Sequence, residues 1–518
     1  ALAISAPQFQ VGKVGDLGIS SSDPASLFNA CRVAGQLADR GVGAWGASNW
    51  AQGRHHRRSS VLLMHSLEDS LPQLREILEE LKPNLVLIGA MSVCFPGAIA
   101  VARYVKALLG ERVCVVLGGR HATETFYRLI GHPQVAHHRA SPLALVEDGR
   151  LEDVFDVVVS GDGEFVIAEI GECVAKLLAS NLPAADIRRT LDSLATAPGR
   201  WVAGACIDGH VRTVQSRGPD IDYDALPAPC EIFGVATEFD VFKVPTAHVF
   251  SDTGRGCIYD CEFCSERRSV TGLPRQAGTS AERLYRQLDA AVRVISEDHP
   301  GSSASAFCED STILGFSTAQ IRRLEELWRE RPLPIRWGGQ LTIDQILSRP
   351  NLLSVLRSVG CEYLFLGLET LEPGGIGGMS KDVGVRRGSW VERAEKVYGL
   401  LRANSMTCGV AVLFGLGEAH SSRLELLRLL SEWRKRYGFP DPVSLNWAVQ
   451  HPLQRDESLP YEYMDWAIPR GPLLGMFRNF GEASIRYPLA GANVPLPSEV
   501  DDVLETARSL QAPAVAPS

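Results

Sequence analysis

Short apolar runs alternate with longer amphipathic ones through the first 215 residues. Leu2–Ala6, Val61–His65, Asn84–Ala90, Val113–Gly118 and Val154–Ser160 have the length of strands. At Pro24–Asp39, Leu71–Leu81, Pro96–Leu109 and Glu164–Ala179 apolar residues recur at the three-to-four spacing of a helix. Strands alternating with helices predict a parallel, doubly wound (Rossmann-like) α/β sheet over residues 1–216. In such sheets ligands bind at the carboxyl ends of the strands. Those ends are small-residue loops: Ala90-Met91-Ser92-Val93, Gly118-Gly119-Arg120-His121 and Gly161-Asp162-Gly163-Glu164. Glycine lets a backbone approach a ligand closely, and the same glycines suit plain tight turns.

A polar, proline-bearing stretch, Arg217–Pro229, then reads as a linker over 217–245. The alternation resumes over 246–452, with strands predicted at His248–Ser251, Ala304–Cys308, Ile335–Gly338, Tyr363–Leu368, Cys408–Phe414 and Val443–Val449. Each pair is separated by enough residues for a helix. That predicts a partial (β/α)6 barrel with its site at the carboxyl ends of the strands. Residues 453–518 form a C-terminal region, rich in Pro, Gly and aromatics until a final helix at Ser498–Leu510.

Composition narrows the function classes. With 45% hydrophobic and 22% charged residues, the 518-residue chain has the make-up of a globular protein. No apolar run reaches the roughly 18 residues of a membrane span, so no membrane partner is expected. Ala1–Gln10 lacks a basic segment, so a secretory signal is not expected and a cytoplasmic setting is. A net charge of −9 argues against a nucleic-acid partner. Nine of the 12 cysteines are scattered, and most of those sit in apolar runs as small core residues. The other three are bunched.

That bunch is Gly256-Cys257-Ile-Tyr-Asp-Cys261-Glu-Phe-Cys264, a C-x3-C-x2-C after the first barrel strand. Three thiolates suit a [4Fe–4S] cluster and leave one iron open. Structural zinc wants four ligands, and no second C-x2-C or H-x3-H lies nearby. The segment resembles the signature of the radical S-adenosylmethionine (SAM) enzymes, including the aromatic Phe263. Phe307-Cys-Glu-Asp310, Arg336-Trp-Gly-Gly-Gln340, Phe365-Leu-Gly-Leu-Glu-Thr370 with Lys381, and Gly409–Glu418 resemble the following strands of that family in register. The resemblance implies Cys257, Cys261 and Cys264 as metal ligands, with Phe263, Gln340 and Glu369 near SAM.

Upstream, Val116–Thr123, Val159–Glu164 and Asp224–Pro229 resemble the cobalamin-binding domain that precedes many radical SAM cores. This implies corrin contacts from Ser92, Gly118, Gly119, His121, Gly161, Gly163 and Glu164. There is no D-x-H-x-x-G; the nearest miss is Asp208-Gly-His210-Val-Arg-Thr213. No histidine is therefore expected under the cobalt. Within His55-His56-Arg57-Arg58, Arg58 is a candidate to occupy that space, against the plain reading of a solvated loop. Glu262 is either a solvent-facing carboxylate or an oxygen ligand for the open iron.

The cofactors implied are a [4Fe–4S] cluster, cobalamin and SAM. The implied activity is a cobalamin-dependent C-methyltransferase, moving a methyl from SAM through methylcobalamin to carbon. Glu262 and the short C-terminal region resemble the tryptophan 2-C-methyltransferases of thiopeptide antibiotic biosynthesis. The first substrate expected is thus a small aromatic molecule, tryptophan, and an external electron donor is a possible partner. A ring-forming or rearranging enzyme, radical methylation of an unactivated carbon, and a non-catalytic cobalamin or redox sensor are the alternatives.

Overall fold

The computed structural model describes residues 1–7, 60–63, 67–90, 94–128, 134–138, 141–447 and 496–511, with breaks inside 141–447 at 227, 234, 236–237, 240, 252–255, 262, 265, 267, 269–271, 373–386 and 416. Its contacts divide the chain into two compact units, one comprising Ala1–Phe233, the other Gly234–Gln450 together with the C-terminal helix.

The first unit is built on a seven-stranded sheet. In chain order its strands are β1 (Leu2–Ser5), β2 (Ser60–Leu63), β3 (Leu85–Gly89) and β4 (Cys114–Gly118). A small antiparallel pair, β5 (Phe126–Arg128) and β6 (Val135–His137), stands outside the sheet. The remaining strands are β7 (Val157–Gly161), β8 (Trp201–Ile207) and β9 (His210–Gln215). The spatial order is β2-β1-β3-β4-β7-β8-β9. The first five are parallel, as their alternation with helices dictates. The helices Leu67–Leu81, Phe95–Leu109 and Gly163–Ala179 are the crossovers predicted from the periodicity. Pro24–Asp39 lies outside the described residues. One core gathers Leu85, Leu87, Cys114, Val116, Val157 and Val159 against Val166, Ile170 and Val174.

The doubly wound parallel sheet carries an antiparallel extension at one edge. Trp201–Gln215 forms a hairpin that runs antiparallel to β7. Asp208 and Gly209 have φ of 53° and 80°, the left-handed pair of a two-residue turn, and Ile207 faces His210 across it. The dipeptide met as a near miss of a cobalamin signature is a hairpin turn.

The second unit carries β10 (Glu238–Phe239), β11 (Val244–Val249), β12 (Ala304–Cys308), β13 (Ile335–Leu341), β14 (Cys361–Glu369), β15 (Thr407–Phe414) and β16 (Val443–Trp447). They lie in sequential order. β11 to β16 are all parallel, and β10 pairs antiparallel with β11. This is the open six-stranded barrel expected, with helices such as Ser280–Asp298, Thr318–Glu330, Arg387–Ala403 and His420–Tyr437 as crossovers. On the face toward the crossovers, Trp337 is fully buried and a Cβ at Gly339 would strike Ile313 and Cys308. On the opposite, inward face Phe242, Phe307 and Tyr363 form an apolar floor. The final helix is Pro497–Gln511.

Candidate active site

The cysteine loop leaves β11 at its carboxyl end. Gly256 has φ +95°, and a Cβ there would meet Gly272 O at 2.7 Å and Pro274 N at 2.9 Å. Only glycine lets the loop close on itself at this point. Beyond it, Tyr259 N–H donates to Cys257 Sγ (3.4 Å), Cys264 N–H to Cys261 O (3.1 Å) and Arg268 N–H to Tyr259 O (2.8 Å). The Tyr259 hydroxyl meets Thr342 Oγ1, just past the end of β13, at 3.2 Å. None of the three cysteines is in a disulfide; Cys261 is buried, Cys257 and Cys264 half-buried. Phe263 is half-buried beside them. Among the described residues no three of His, Cys, Asp and Glu converge on one metal ion. A four-iron cluster asks something different, one soft thiolate for each of three irons, and this donor set fits it.

Around the barrel mouth the predicted residues fall at strand ends. Gln340 is half-buried near the end of β13, on the inward face it shares with Gly338. Glu369 ends β14, is 9% exposed and has φ +60°. A non-glycine residue in the left-handed region costs about 1–2 kcal/mol. It coincides here with a register shift between β14 and β15. The sequence reading missed a pair at this mouth: His248 Nδ1 lies 2.8 Å from Glu309 Oε1, both half-buried. Glu309 stands in the Phe307–Asp310 motif, but only folding brings His248 to it. Beside them Asp310 is fully buried, accepting from Ser251 N–H and the Cys308 thiol.

At the carboxyl ends of the first sheet the four glycines separate. A Cβ at Gly119 would lie 2.6 Å from Ala90 N, and at Gly161 2.2 Å from Arg200 O; φ is +89° and +90°. Those two are required by the protein's own backbone. At Gly118 the nearest atom would be 3.7 Å away and at Gly89 3.9 Å, ordinary contact distances, so the protein's own packing does not require glycine at the ends of β3 and β4. Gly163 opens its helix, and Glu164 in the first turn is fully buried. His121 is fully buried and stacks on Phe95, with ring centroids 4.0 Å apart. Asp162, unforeseen, accepts from Arg200 N–H (2.9 Å) and the Tyr223 hydroxyl (3.0 Å). Arg200 pairs with Asp220, and Gly199 N–H donates to Pro219 O. The start of the expected linker is thus pinned to the Gly161–Gly163 loop. Ser92, Arg58, Glu262 and Lys381 lie outside the described residues.

No described helix is long and apolar enough to cross a membrane. No family model matches the chain. It is 22% identical over 403 residues to the anaerobic magnesium-protoporphyrin IX monomethyl ester cyclase of Rubrivivax gelatinosus, covering 76% of this chain and 61% of that one. It is 22% identical over 341 residues to an uncharacterized methyltransferase of Pyrococcus horikoshii, covering 65% and 62%. The chain therefore spans about three fifths of the length of these relatives. A solved structure of the radical S-adenosylmethionine methyltransferase TsrM from Kitasatospora setae, with cobalamin and a [4Fe–4S] cluster bound, superposes with a TM-score of 0.49 at 13% identity, covering 86% of this chain and 72% of that one. The chain is similar to the cobalamin-binding radical SAM enzymes, as its own motifs imply.

Proposed function

We propose that the protein is a cobalamin-dependent C-methyltransferase of the radical SAM type, acting on a small aromatic substrate, with C2 of tryptophan the first candidate. The observation that carries this is the C-x3-C-x2-C loop at the carboxyl end of β11, in a six-stranded parallel barrel. Cys257, Cys261 and Cys264 would hold the cluster, and the strand ends bearing Gln340 and Glu369 would receive SAM. The loops after β3, β4 and β7, with Ser92, Gly118, His121 and Glu164, would hold the corrin, with Arg58 a further candidate contact. Bound there, these groups would supply the methyl group that is transferred to carbon.

The chain's own residues do the rest. The Tyr259 N–H steadies the Cys257 sulfur, and the Gly256 turn holds the loop in one shape. Holding donor and acceptor in line supplies much of such a rate. The inward floor of Phe242, Phe307 and Tyr363 gives a planar substrate an apolar wall. Replacing an aromatic C–H by C–CH3 releases a proton, which the half-buried His248–Glu309 pair can take at Nε2 while Nδ1–H donates to the carboxylate. The test is anaerobic incubation of reconstituted protein with methyl-labelled SAM, a reductant and tryptophan. A labelled product heavier by one methyl is expected. Label in a peptide or sugar instead would overturn the substrate, and no methylated product with any acceptor would overturn the activity.

A further inference from the structure

The glycine turn after β15 is held from a distance. Gly415 and Gly417 have φ of +85° and +110°, and Gly415 N–H donates to Glu418 Oε1 (2.7 Å). Glu418 is buried and is in turn held by Arg423, whose Nη2 donates to the Glu418 carbonyl at 3.0 Å and whose Nε donates to its carboxylate. The Arg423 side chain has no solvent exposure. A buried guanidinium needs its charge answered locally. Glu418 supplies one carboxylate, and the second comes from 76 residues away: Arg423 Nη1 donates to Glu499 Oε2 at 3.0 Å. Glu499 is itself fixed by Leu496 N–H at 3.0 Å. A separate contact, His420 Nε2 to Asp502 Oδ2 at 3.3 Å, joins the same two helices on a more exposed flank.

We propose that Glu499, on the helix Pro497–Gln511, is a positioning residue for the Gly415–Glu418 turn and, through that turn, for an adenosyl ligand at the barrel mouth. The second half rests on the function proposed above. The helix thus shapes the rim of the site. Remove the Glu499 charge, and the Arg423 guanidinium keeps Glu418 but loses a carboxylate that draws it the other way. It then pulls on the carboxylate that shapes the Gly415 turn.

The experiment compares Glu499→Gln, Glu499→Asp and Asp502→Asn in the full chain, loaded with iron and sulfide. Equilibrium dialysis with S-adenosylhomocysteine should show binding weakened about five- to tenfold in Glu499→Gln. It should be partly restored in Glu499→Asp, and within about twofold of wild type in Asp502→Asn. Deuterium uptake by the peptide containing Gly415–Glu418 should rise in Glu499→Gln and stay at the wild-type level in Asp502→Asn. Equal losses in Glu499→Gln and Asp502→Asn would reduce Glu499 to a general docking contact and overturn the proposal, as would wild-type binding and uptake in Glu499→Gln. If wild type takes up no S-adenosylhomocysteine, the functional reading fails. The uptake comparison then still decides whether Glu499 sets the turn. Should Glu499→Gln not fold, the Glu499→Asp and Asp502→Asn pair gives the same contrast.

Discussion

At the scale of single residues, the chemistry is concentrated in Cys257–Cys264. With all three cysteines changed to alanine, reconstituted protein is expected to lose its roughly four irons and its visible absorption; iron analysis and spectra check it. Glu262 follows Cys261 directly in the sequence, which makes it a candidate oxygen ligand. If that hard oxygen ligates the open iron, SAM is kept from chelating there and acts as a plain methyl donor. Glu262→Gln is then expected to begin releasing 5′-deoxyadenosine, measured by chromatography. A variant that matches wild type, with wild type already releasing it in step with product, makes Glu262 a solvent-facing residue. The cysteine cluster stands out in the sequence by residue type and spacing, and the strand-end positions of Gln340 and Glu369 follow from the resemblance of their segments. The His248–Glu309 pair was not legible there, since the two are 61 positions apart and meet only through the pairing of β11 with β12.

At the scale of elements, apolar alternation located the barrel strands to within a few residues. Ala304–Cys308 was predicted with its observed bounds, and β11 lies four residues ahead of the expected start. The hairpin of β8 and β9 has its sequence signal in Asp208-Gly209, a strong local turn pair between two short apolar-bearing runs. Gly161 shows what such local fits cost to disturb. Gly161→Ala drives a methyl into Arg200 O at a positive φ, and is expected to destabilise the protein by about 1–3 kcal/mol in urea unfolding. Glu499 gives a pH signature. Burial pushes its carboxyl up, but the Leu496 N–H and the Arg423 guanidinium outweigh that and hold it below its ordinary value of 4.5. The unfolded chain therefore takes up the proton first as pH falls. The stability Glu499 contributes is fully present above 4.5 and fades below it. The difference in unfolding free energy between wild type and Glu499→Gln is expected to hold from pH 7 to about 5.5 and to shrink toward pH 4.

At the scale of the molecule, each unit presents its candidate ligand loops at the carboxyl ends of parallel strands, as both topologies require. The sequence carries no D-x-H-x-x-G. A cobalt held over the first sheet is therefore expected to lack a histidine below. Protein loaded with cob(II)alamin should give an electron paramagnetic resonance spectrum free of splitting from a histidine nitrogen. Observation of that splitting would place a ligand the chain's motifs do not supply.

The hairpin Trp201–Gln215 has a colloidal consequence. A parallel sheet that ended at β7 would offer Val157–Val159 as an open, apolar edge, ready to pair with the same edge of a second molecule. Here β8 takes that place, and the outermost strand β9 exposes His210, Arg212 and Thr213. Charge and hydroxyls on a short terminal strand make a poor template for intermolecular pairing. The hairpin therefore blunts self-association through this edge of the sheet.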